Sequence, residues 1–296
     1  MLEENRTKLI IECRVNEGMD RKHTPHVPWT PDEIGDSVAA AVEKGASIVH
    51  YHARNPDGSP TADPDMYIAI ERAIRERCDV ITMPTLGAHM AAPPGRISHI
   101  EEMAKDPATR PDCVPIDVVT TNMATLDVEA GDFVGEGRIY ENSVETIKRL
   151  CSGVKAVGVK PVAMLWNITS IHTTQILKKL GYFNDPLYCE VILFDGPTIT
   201  FGPPGSIKGM YSIVDFLPRN DTWIWSAHGH ANTLGVAAGA IEGGGHVTVG
   251  LGDYHYPELG TPTNAGVVDF VAQMSRAMGR EVASVAEVRN MIGMHR

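Results

Sequence analysis

Two histidines, His50 and His52, stand two positions apart in the segment Ala-Ser-Ile-Val-His-Tyr-His-Ala-Arg (46–54). The small and β-branched residues before them, and the turn-forming residues 55–58 after them, predict a short buried strand. Side chains alternate faces along a strand, so both imidazoles point the same way, about 6.5–7 Å apart along it. Two such imidazoles can bind one metal ion, typically zinc. They can equally be histidines that hydrogen bonds satisfy in a polar interior.

The rest of the chain supplies an alternation of strands and helices that would position this pair. Apolar segments predict strands at 9–15, 46–52, 80–85, 114–120, 161–166, 188–194, 223–227 and 246–250, with helical patterns between them. A capping box, Thr30-Pro31-Asp32-Glu33, opens the first helix, and a last helix is expected over 285–294 after Ser284. This pattern predicts an α/β fold, a (β/α)8 TIM barrel, as a single domain over 1–296 with an extra C-terminal helix.

In a TIM barrel the active site is built at the carboxyl ends of the strands and in the loops after them. The residues at the predicted ends bring histidines, carboxylates, hydroxyls and amides to one mouth: Asn16, Glu17, His50, His52, Thr85, Thr120, Thr121, Asn122, Trp166, Asn167, Asp195, His228, His230, Asp253 and His255. This convergence favours a metal at the histidine pair.

Composition excludes several classes of partner. Acidic residues outnumber basic ones, 37 to 26, and a net charge of −11 argues against binding to nucleic acid or an anionic membrane. Apolar runs stay shorter than the ~20 residues that a transmembrane helix needs, and residues 1–8 are too polar for a signal peptide. Five scattered cysteines are typical of reduced thiols. A cytoplasmic enzyme with a small-molecule substrate is expected.

Several short motifs, in order along almost the whole chain, give it a family resemblance. They are Pro-Trp-Thr-Pro-Asp-Glu-Ile (28–34), Gly45-Ala46 followed by Val-His-Tyr-His (49–52), Arg54, Asp57-Gly58 and Pro60, Thr85-x-Gly87, Gly244-Gly245-His246, Gly250-x-x-Asp253, and Gly279-Arg280. In these motifs the chain resembles the β-keto acid cleavage enzymes, the family of the 3-keto-5-aminohexanoate cleavage enzyme. The resemblance implies a TIM barrel assembled as a homotetramer with one catalytic divalent metal, normally Zn²⁺. It also implies a reaction in which a β-keto acid and acetyl-CoA give acetoacetate and a new acyl-CoA.

The resemblance also assigns roles to single positions. His50 and His52 match the two metal-binding histidines of the family, and Thr85 stands where the family has a serine that holds the keto-acid end of the substrate. Thr120 matches a threonine of the same pocket, and Asp253 matches the aspartate after strand eight. A metal at the histidines would polarise the keto oxygen, and Asp253 would orient or deprotonate a reacting group.

Three positions depart from the family pattern. Gly252 replaces the glutamate that is the third metal ligand, Thr248 replaces an arginine on strand eight, and Met164 replaces a glutamate base on strand five. We therefore expect a rebuilt site, with Arg14 supplying the positive charge and Glu12 or Glu17 the base. The third ligand would then come from one of five residues: His228, His230, Asp253, His255 or Glu258.

Alternatives to these roles remain open. Glu12 and Arg14 share one face of the first strand and can form a structural ion pair, since a buried charge needs a partner. His228 and His230 can be hydrogen-bonding groups behind the ligands. The expected function is metal-dependent β-keto acid cleavage. The alternatives are a zinc-dependent hydrolase or lyase acting on a small carbonyl compound through metal-bound water, and a barrel that has lost its activity.

Overall fold

The computed structural model describes residues 7–86, 95–196, 198–229 and 233–294. Its strands are β1 (Ile11–Arg14), β2 (Ile48–Tyr51), β3 (Ile81–Pro84), β4 (Cys113–Asp117), β5 (Thr121–Asn122), β6 (Thr125–Asp127), β7 (Asp132–Val134), β8 (Ile139–Tyr140), β9 (Lys160–Leu165), β10 (Tyr188–Asp195), β11 (Thr222–Gly229) and β12 (His246–Val249). Its α-helices are α1 (Pro31–Lys44), α2 (Pro64–Arg77), α3 (Ser98–Met103), α4 (Val144–Ala156), α5 (Ile168–Lys179), α6 (Ile207–Val214), α7 (Thr233–Glu242), α8 (Asn264–Ala277) and α9 (Val285–Met291). In these ranges, no helix is long and apolar enough to cross a membrane.

Eight parallel strands form one nearly closed barrel, in the order β3-β2-β1-β12-β11-β10-β9-β4. Helices follow the strands, so the predicted (β/α)8 TIM barrel is confirmed. The seam lies between β3 and β4, where side chains take the place of a backbone ladder. The backbone N–H of Thr82 donates to the Asp112 carboxylate at 3.0 Å, and Sγ of Cys113 donates to the carbonyl of Thr82 at 3.7 Å.

Helix starts follow the sequence signals closely. The Thr30–Glu33 capping box is present at α1, with proline in the first turn. Ser143 caps α4 by accepting from the N–H of Thr146. Ser284 forms a second capping box at α9 with Glu287.

The hydrophobic core has two parts because strand side chains alternate. Ile11, Cys13 and Val15 face the surrounding helices. Ile10 faces the barrel interior, where Val288 and Ile292, in and just after α9, join the same cluster. Glu12 and Arg14 share the inward face with Ile10 and are buried, as the alternation predicts. The inner layer is thus apolar at one end of β1 and charged at the other.

The predicted strand over 114–120 is three residues too long. β4 ends at Asp117, and the chain then makes an excursion, residues 121–140, that we call the ribbon. In the ribbon β5 pairs with β8 and β6 pairs with β7, both antiparallel. The ribbon is bonded to the segment after β10, since the N–H of Leu126 donates to the carbonyl of Thr198 at 2.9 Å. The ribbon and that segment together cover one side of the barrel mouth.

Candidate active site

Three side chains form a compact triangle of metal-ligand atoms at the mouth of the barrel. Nε2 of His50 lies 3.0 Å from Oε1 of Glu17, and Nε2 of His52 lies 3.0 Å from Oε2. The two imidazole Nε2 atoms are 3.2 Å apart. Ligand bonds of 2.0–2.1 Å in a tetrahedron place neighbouring ligand atoms about 3.3 Å apart. The spacing therefore fits a zinc ion at one face of the triangle.

Glu17 reaches the histidines because its loop is held in an unusual backbone conformation. Its φ is 22°, in the left-handed region that costs a non-glycine residue about 1–3 kcal/mol. The Arg54 guanidinium donates to the carbonyls of both Asn16 and Glu17. The Asn16 side chain in turn donates to the carbonyl of His52 and accepts from its N–H, each at 2.9 Å. The loop after β1 is thus fixed to the loop after β2.

Gly252 lies directly against Glu17. A Cβ at position 252 would lie 2.7 Å from Cγ of Glu17 and 2.9 Å from its backbone nitrogen. Both distances are shorter than packed atoms tolerate. Position 252 has no room for a glutamate side chain, because the Glu17 side chain from the loop after β1 occupies the space beside Gly252.

The electrostatics of His50 and Glu17 favour the protonation states that metal ligands need. Burial lowers the pKa of His50 to about 4, although Glu17 opposes this shift, so the imidazole is neutral at pH 7. Burial acts to raise the pKa of Glu17, but His52, Arg14 and His50 together hold it well below its usual value. A neutral imidazole at His50 beside an ionised carboxylate at Glu17 is ready to bind a cation without first losing a proton.

Arg14 forms the centre of a buried charge cluster behind the triangle. Its Nη1 donates to Glu17 and its Nη2 to Glu190, both at 2.5 Å. Its Nε lies 3.5 Å from Asp253 and 3.7 Å from Glu12. The predicted Glu12–Arg14 pair is therefore the longest of four contacts, and Arg14 serves the whole cluster rather than one partner.

The cluster contains more carboxylates than guanidinium groups, and burial shifts the pKa values of its members. Burial, and then the charge of Glu190, raise the pKa of Glu12 well above its usual value, although Arg14 acts to lower it. Burial acts to lower the pKa of Arg14, but the charges of Glu190 and Asp253 outweigh this effect and hold the pKa well above its usual value. The neutral form of Glu12 is thereby favoured, beside a permanent guanidinium charge.

His228 and Asp253 form a pair beside Arg14. Nδ1 of His228 lies 3.2 Å from Oδ1 of Asp253. Its other ring nitrogen, Nε2, lies 3.5 Å from Nη1 of Arg14. Burial alone would lower the pKa of His228, but the charge of Asp253 and the hydrogen bond to it produce a net increase. Such a pair can hold and move a proton.

The triangle opens into a cavity of about 740 Å³ that also reaches Thr85 and His228. The remaining wall is mostly apolar and comes from β4, β9, β10, the segment after β10 and the ribbon. Its residues are Pro115, Asp117, Met123, Gly137, Arg138, Ile139, Tyr140, Met164, Trp166, Ile192, Phe194, Ile199 and Phe201. Arg14 lines the polar end, so Arg14, Glu17, Thr85 and the histidine pair meet at one mouth.

Some predicted site residues lie elsewhere. Thr120 is exposed, and its hydroxyl accepts from the N–H of Asn142 at 3.0 Å, away from the cavity lining. Glu258 is exposed and accepts from Tyr254. Among described residues, the possible metal-binding groups contain Glu17 with His50 and His52, or Glu17 with His228 and Asp253. His255 is in neither group, and His230 and Gly87 lie outside the described residues.

Two carboxylates of the site, one buried and one half-buried, were missed in the sequence. Glu190 lies in the middle of β10 and bonds Arg14. A single charge within an apolar strand was the available signal, the same signal that singled out Glu12. Asp117 ends β4 and accepts from Nε1 of Trp166 at 2.9 Å and from the hydroxyl of Tyr140. Its position was hidden because Val118 and Val119 extend the apparent strand.

Known proteins similar to this chain include several named for acetyl-CoA-dependent reactions. A 3-keto-5-aminohexanoate cleavage enzyme of Fusobacterium nucleatum is 29% identical over 291 residues, covering 97% of this chain and 98% of that protein. A 3-oxoadipate:acetyl-CoA acetyltransferase of Cupriavidus necator is 28% identical, covering 96% of this chain and 94% of that protein. A 3-dehydrocarnitine:acetyl-CoA trimethylamine transferase of Rhizobium meliloti is 26% identical, with 96% of each chain covered.

Solved structures share the fold. The ternary complex of ObcA with a C4-CoA adduct and oxalate superposes with a TM-score of 0.69 at 15% identity, covering 91% of this chain and 68% of that one. The sequence profile of the beta-keto acid cleavage enzymes matches residues 8–294. Nearly the whole chain therefore matches the family that its motifs resemble. The protein belongs to the beta-keto acid cleavage enzyme family and is an enzyme that cleaves carbon–carbon bonds by acyl transfer.

Proposed function

We propose that the protein catalyses metal-dependent cleavage of a β-keto acid with acetyl-CoA, giving acetoacetate and a new acyl-CoA. The observation that carries the proposal is the triangle of Glu17, His50 and His52, with ligand atoms 3.0–3.2 Å apart, at the end of a cavity. Relatives named for acetyl-CoA-dependent reactions of keto acids support the reaction type. A cytoplasmic homotetramer containing one Zn²⁺ per chain is part of the same proposal.

Glu17, His50 and His52 would hold the metal, with Glu17 taking the role of the glutamate absent at position 252. When bound there, the metal would polarise the keto oxygen and stabilise negative charge that develops on it. The open cavity beyond the triangle leaves room for a substrate. Arg14 keeps Glu17 ionised and oriented through their 2.5 Å contact.

The reaction balances without a further reactant. The α-carbon of the β-keto acid loses a proton and forms a bond to the acetyl carbonyl of acetyl-CoA. The CoA thiolate that leaves then attacks the keto carbon, and the bond between the keto carbon and the α-carbon breaks. The proton returns to the α-carbon of acetoacetate, so one base can serve both proton transfers.

His228 is the residue we assign to this proton. It lines the cavity, and its Nδ1 lies 3.2 Å from Oδ1 of Asp253, a contact that would orient the ring. Asp253 thereby acts as a positioning residue, since its carboxylate lies behind the imidazole. Thr85, also in the cavity wall, would donate its hydroxyl to the substrate carboxylate.

Metal content of protein purified without added metal tests the triangle. We expect about one zinc per chain in the wild type, a complete loss in His50→Ala/His52→Ala, and weaker retention in Glu17→Gln. His172→Ala, at an exposed histidine of α5, is the matched control and should retain full metal. A wild-type protein without metal, or a double variant that keeps it, would contradict the assignment.

Product analysis separates the proposed reaction from hydrolysis or simple lyase chemistry. A panel of β-keto acids is incubated with and without acetyl-CoA, and acetoacetate and acyl-CoA are measured by mass spectrometry. Acyl-CoA that forms only with acetyl-CoA supports the proposal. Free acids formed without acetyl-CoA would instead favour a hydrolase, and no turnover of any acid by metal-loaded protein would favour a barrel that has lost its activity.

A further inference from the structure

The cavity wall is divided into two halves by the order of the strands in the barrel. On one side β2, its neighbour β1, and β11, which lies beyond β12, contribute charged or titratable side chains, among them His50, Arg14 and His228. On the other side β10, β9 and β4 contribute Ile192, Met164, Pro115 and further apolar residues. We call this second half the apolar arc: Pro115, Met164, Trp166, Ile192, Phe194, Ile199 and Phe201.

Aromatic rings in the apolar arc pack against each other rather than standing apart. The centroid of Trp166 lies 4.6 Å from that of Phe194, and Phe194 lies 5.0 Å from Phe201. Trp166 and Phe201 are nearly parallel but only 6.3 Å apart, too close to admit a group between them. The rings therefore form a continuous apolar wall and not a cage around a cation.

Asp117 is the one carboxylate on this side among the described lining residues, and its charge is already compensated. Its Oδ1 accepts from Trp166 and its Oδ2 from Tyr140, while the Arg96 guanidinium lies 3.9 Å away. A substrate ammonium group would have to compete with these partners. Arg138 is the other charge on this side, but it is exposed on the ribbon, where water solvates it.

We propose that the apolar arc binds the group attached to the keto carbon, and that this group is an uncharged hydrocarbon chain. The inference rests on the proposed function and specifies its substrate class. The carboxylate and keto oxygen of the substrate occupy the polar half near Thr85 and the triangle. The hydrocarbon chain then extends along Met164 and Ile192 towards the rings, because burial of a charge there would lack a partner.

The first experiment compares three six-carbon β-keto acids of similar size: 3-oxohexanoate, 5-amino-3-oxohexanoate and 3-oxoadipate. Their binding is measured by calorimetry with metal-loaded enzyme in the absence of acetyl-CoA, and their kcat/KM is measured with acetyl-CoA. We expect 3-oxohexanoate to exceed each charged acid by at least about 30-fold in both. Lengthening it to 3-oxooctanoate should improve binding about fourfold per methylene.

The two measurements distinguish the two proposals. Preferred binding of the neutral acid without acyl-CoA formation would overturn the proposed function and support the apolar arc. If acyl-CoA forms but a charged acid is the preferred substrate, the inference is overturned and the proposed function remains intact. If no acid is bound or converted, both are overturned.

A substitution within the arc provides the matched test. Met164→Glu places a carboxylate among the apolar residues, and Met164→Gln is its neutral counterpart of the same shape. We expect Met164→Glu to shift the kcat/KM ratio towards 5-amino-3-oxohexanoate by at least about tenfold relative to Met164→Gln, since the buried carboxylate offers the ammonium a partner. An unchanged kcat/KM ratio in a folded Met164→Glu variant would contradict the inference. If the variant does not fold, the comparison of the three acids with the wild-type enzyme tests the inference alone.

Discussion

Cγ of Glu17 lies directly against Gly252, so that a Cβ at position 252 would be only 2.7 Å from it. A carboxylate from the loop after β1 and a side chain after β12 therefore exclude each other. This relationship explains why a chain with Glu17 in this conformation has glycine where the family resemblance leads us to expect a glutamate.

Gly252→Ala should displace Glu17 and weaken the metal site. Because the new methyl group clashes with both the side chain and the backbone nitrogen of Glu17, we expect metal affinity to fall by at least about tenfold. Competition with a chromophoric chelator measures it. Gly235→Ala in α7, where a Cβ would meet nothing within 4 Å, is the control. Equal affinities for the two variants would show that Glu17 does not bind the metal.

Arg14→Met should be strongly destabilising because it leaves buried carboxylates without their cation. We expect a loss of about 3–5 kcal/mol in the free energy of unfolding, measured by urea denaturation of the metal-free protein. Adding Glu190→Gln removes the carboxylate that lies 2.5 Å from Arg14 and should recover part of that loss. A double variant whose loss equals the sum of the single losses would contradict a direct coupling.

The pH dependence of kcat/KM should report the His228–Asp253 pair. A base must be neutral to accept a proton, and the pKa of His228 is raised, so the rate should rise with pH through a value above that of a free imidazole. Asp253→Asn removes the charge that opposes the effect of burial, and the rise should move to lower pH. His228→Ala should cost about 10²–10⁴-fold in kcat.

Asp57→Asn, at an exposed carboxylate, is the control for this profile. It should leave both the rate and its pH dependence unchanged. A profile of Asp253→Asn that coincides with that of the wild type would mean that another group moves the proton.

Tyr140→Phe should loosen the ribbon from the barrel. The hydroxyl of Tyr140 donates to Asp117 and accepts from Nη2 of Arg96, so its removal leaves two charged groups short of a partner. We expect a loss of about 1–3 kcal/mol in the free energy of unfolding and faster proteolysis within the ribbon. Tyr182→Phe, at a half-buried tyrosine, serves as the comparison. Equal stability of the two variants would refute the role of this hydroxyl.

Much of the fold could be predicted because each barrel strand carries a strong local pattern. Alternation along β1 separated Ile11 and Cys13 from Glu12 and Arg14. Alternation along the second strand placed His50 and His52, which directly follows β2, on one face. The i, i+2 spacing of His50 and His52 fixes their side regardless of the loops. Glu17 was expected at the mouth because it follows the end of the first strand, although its contact with both imidazoles depends on a positive φ that no pattern reveals.

The residues that were missed depend on where strands end and on distant contacts. Val118 and Val119 continue the apolar run of β4, so Thr120 was placed at the mouth in the position that Asp117 takes. The strands of the ribbon have only two or three residues each, too short for a periodicity to be recognised. Glu190 was missed because its role is to accept a hydrogen bond from Arg14, which is 176 residues away in the sequence.

The seam between β3 and β4 has a consequence for how the sheet can be assembled. These strands are consecutive in the chain, yet the backbone ladders run from β3 around the barrel to β4 and include the pairing of β1 with β12. Ile10 and His246, which are hydrogen-bonded beside that pairing, are 236 residues apart. The sheet is thus completed only when the beginning and the end of the barrel meet, a slow step of high contact order. A circularly permuted chain that begins at β4 and finishes with β3 would keep every ladder and give up only the chain connection across the seam.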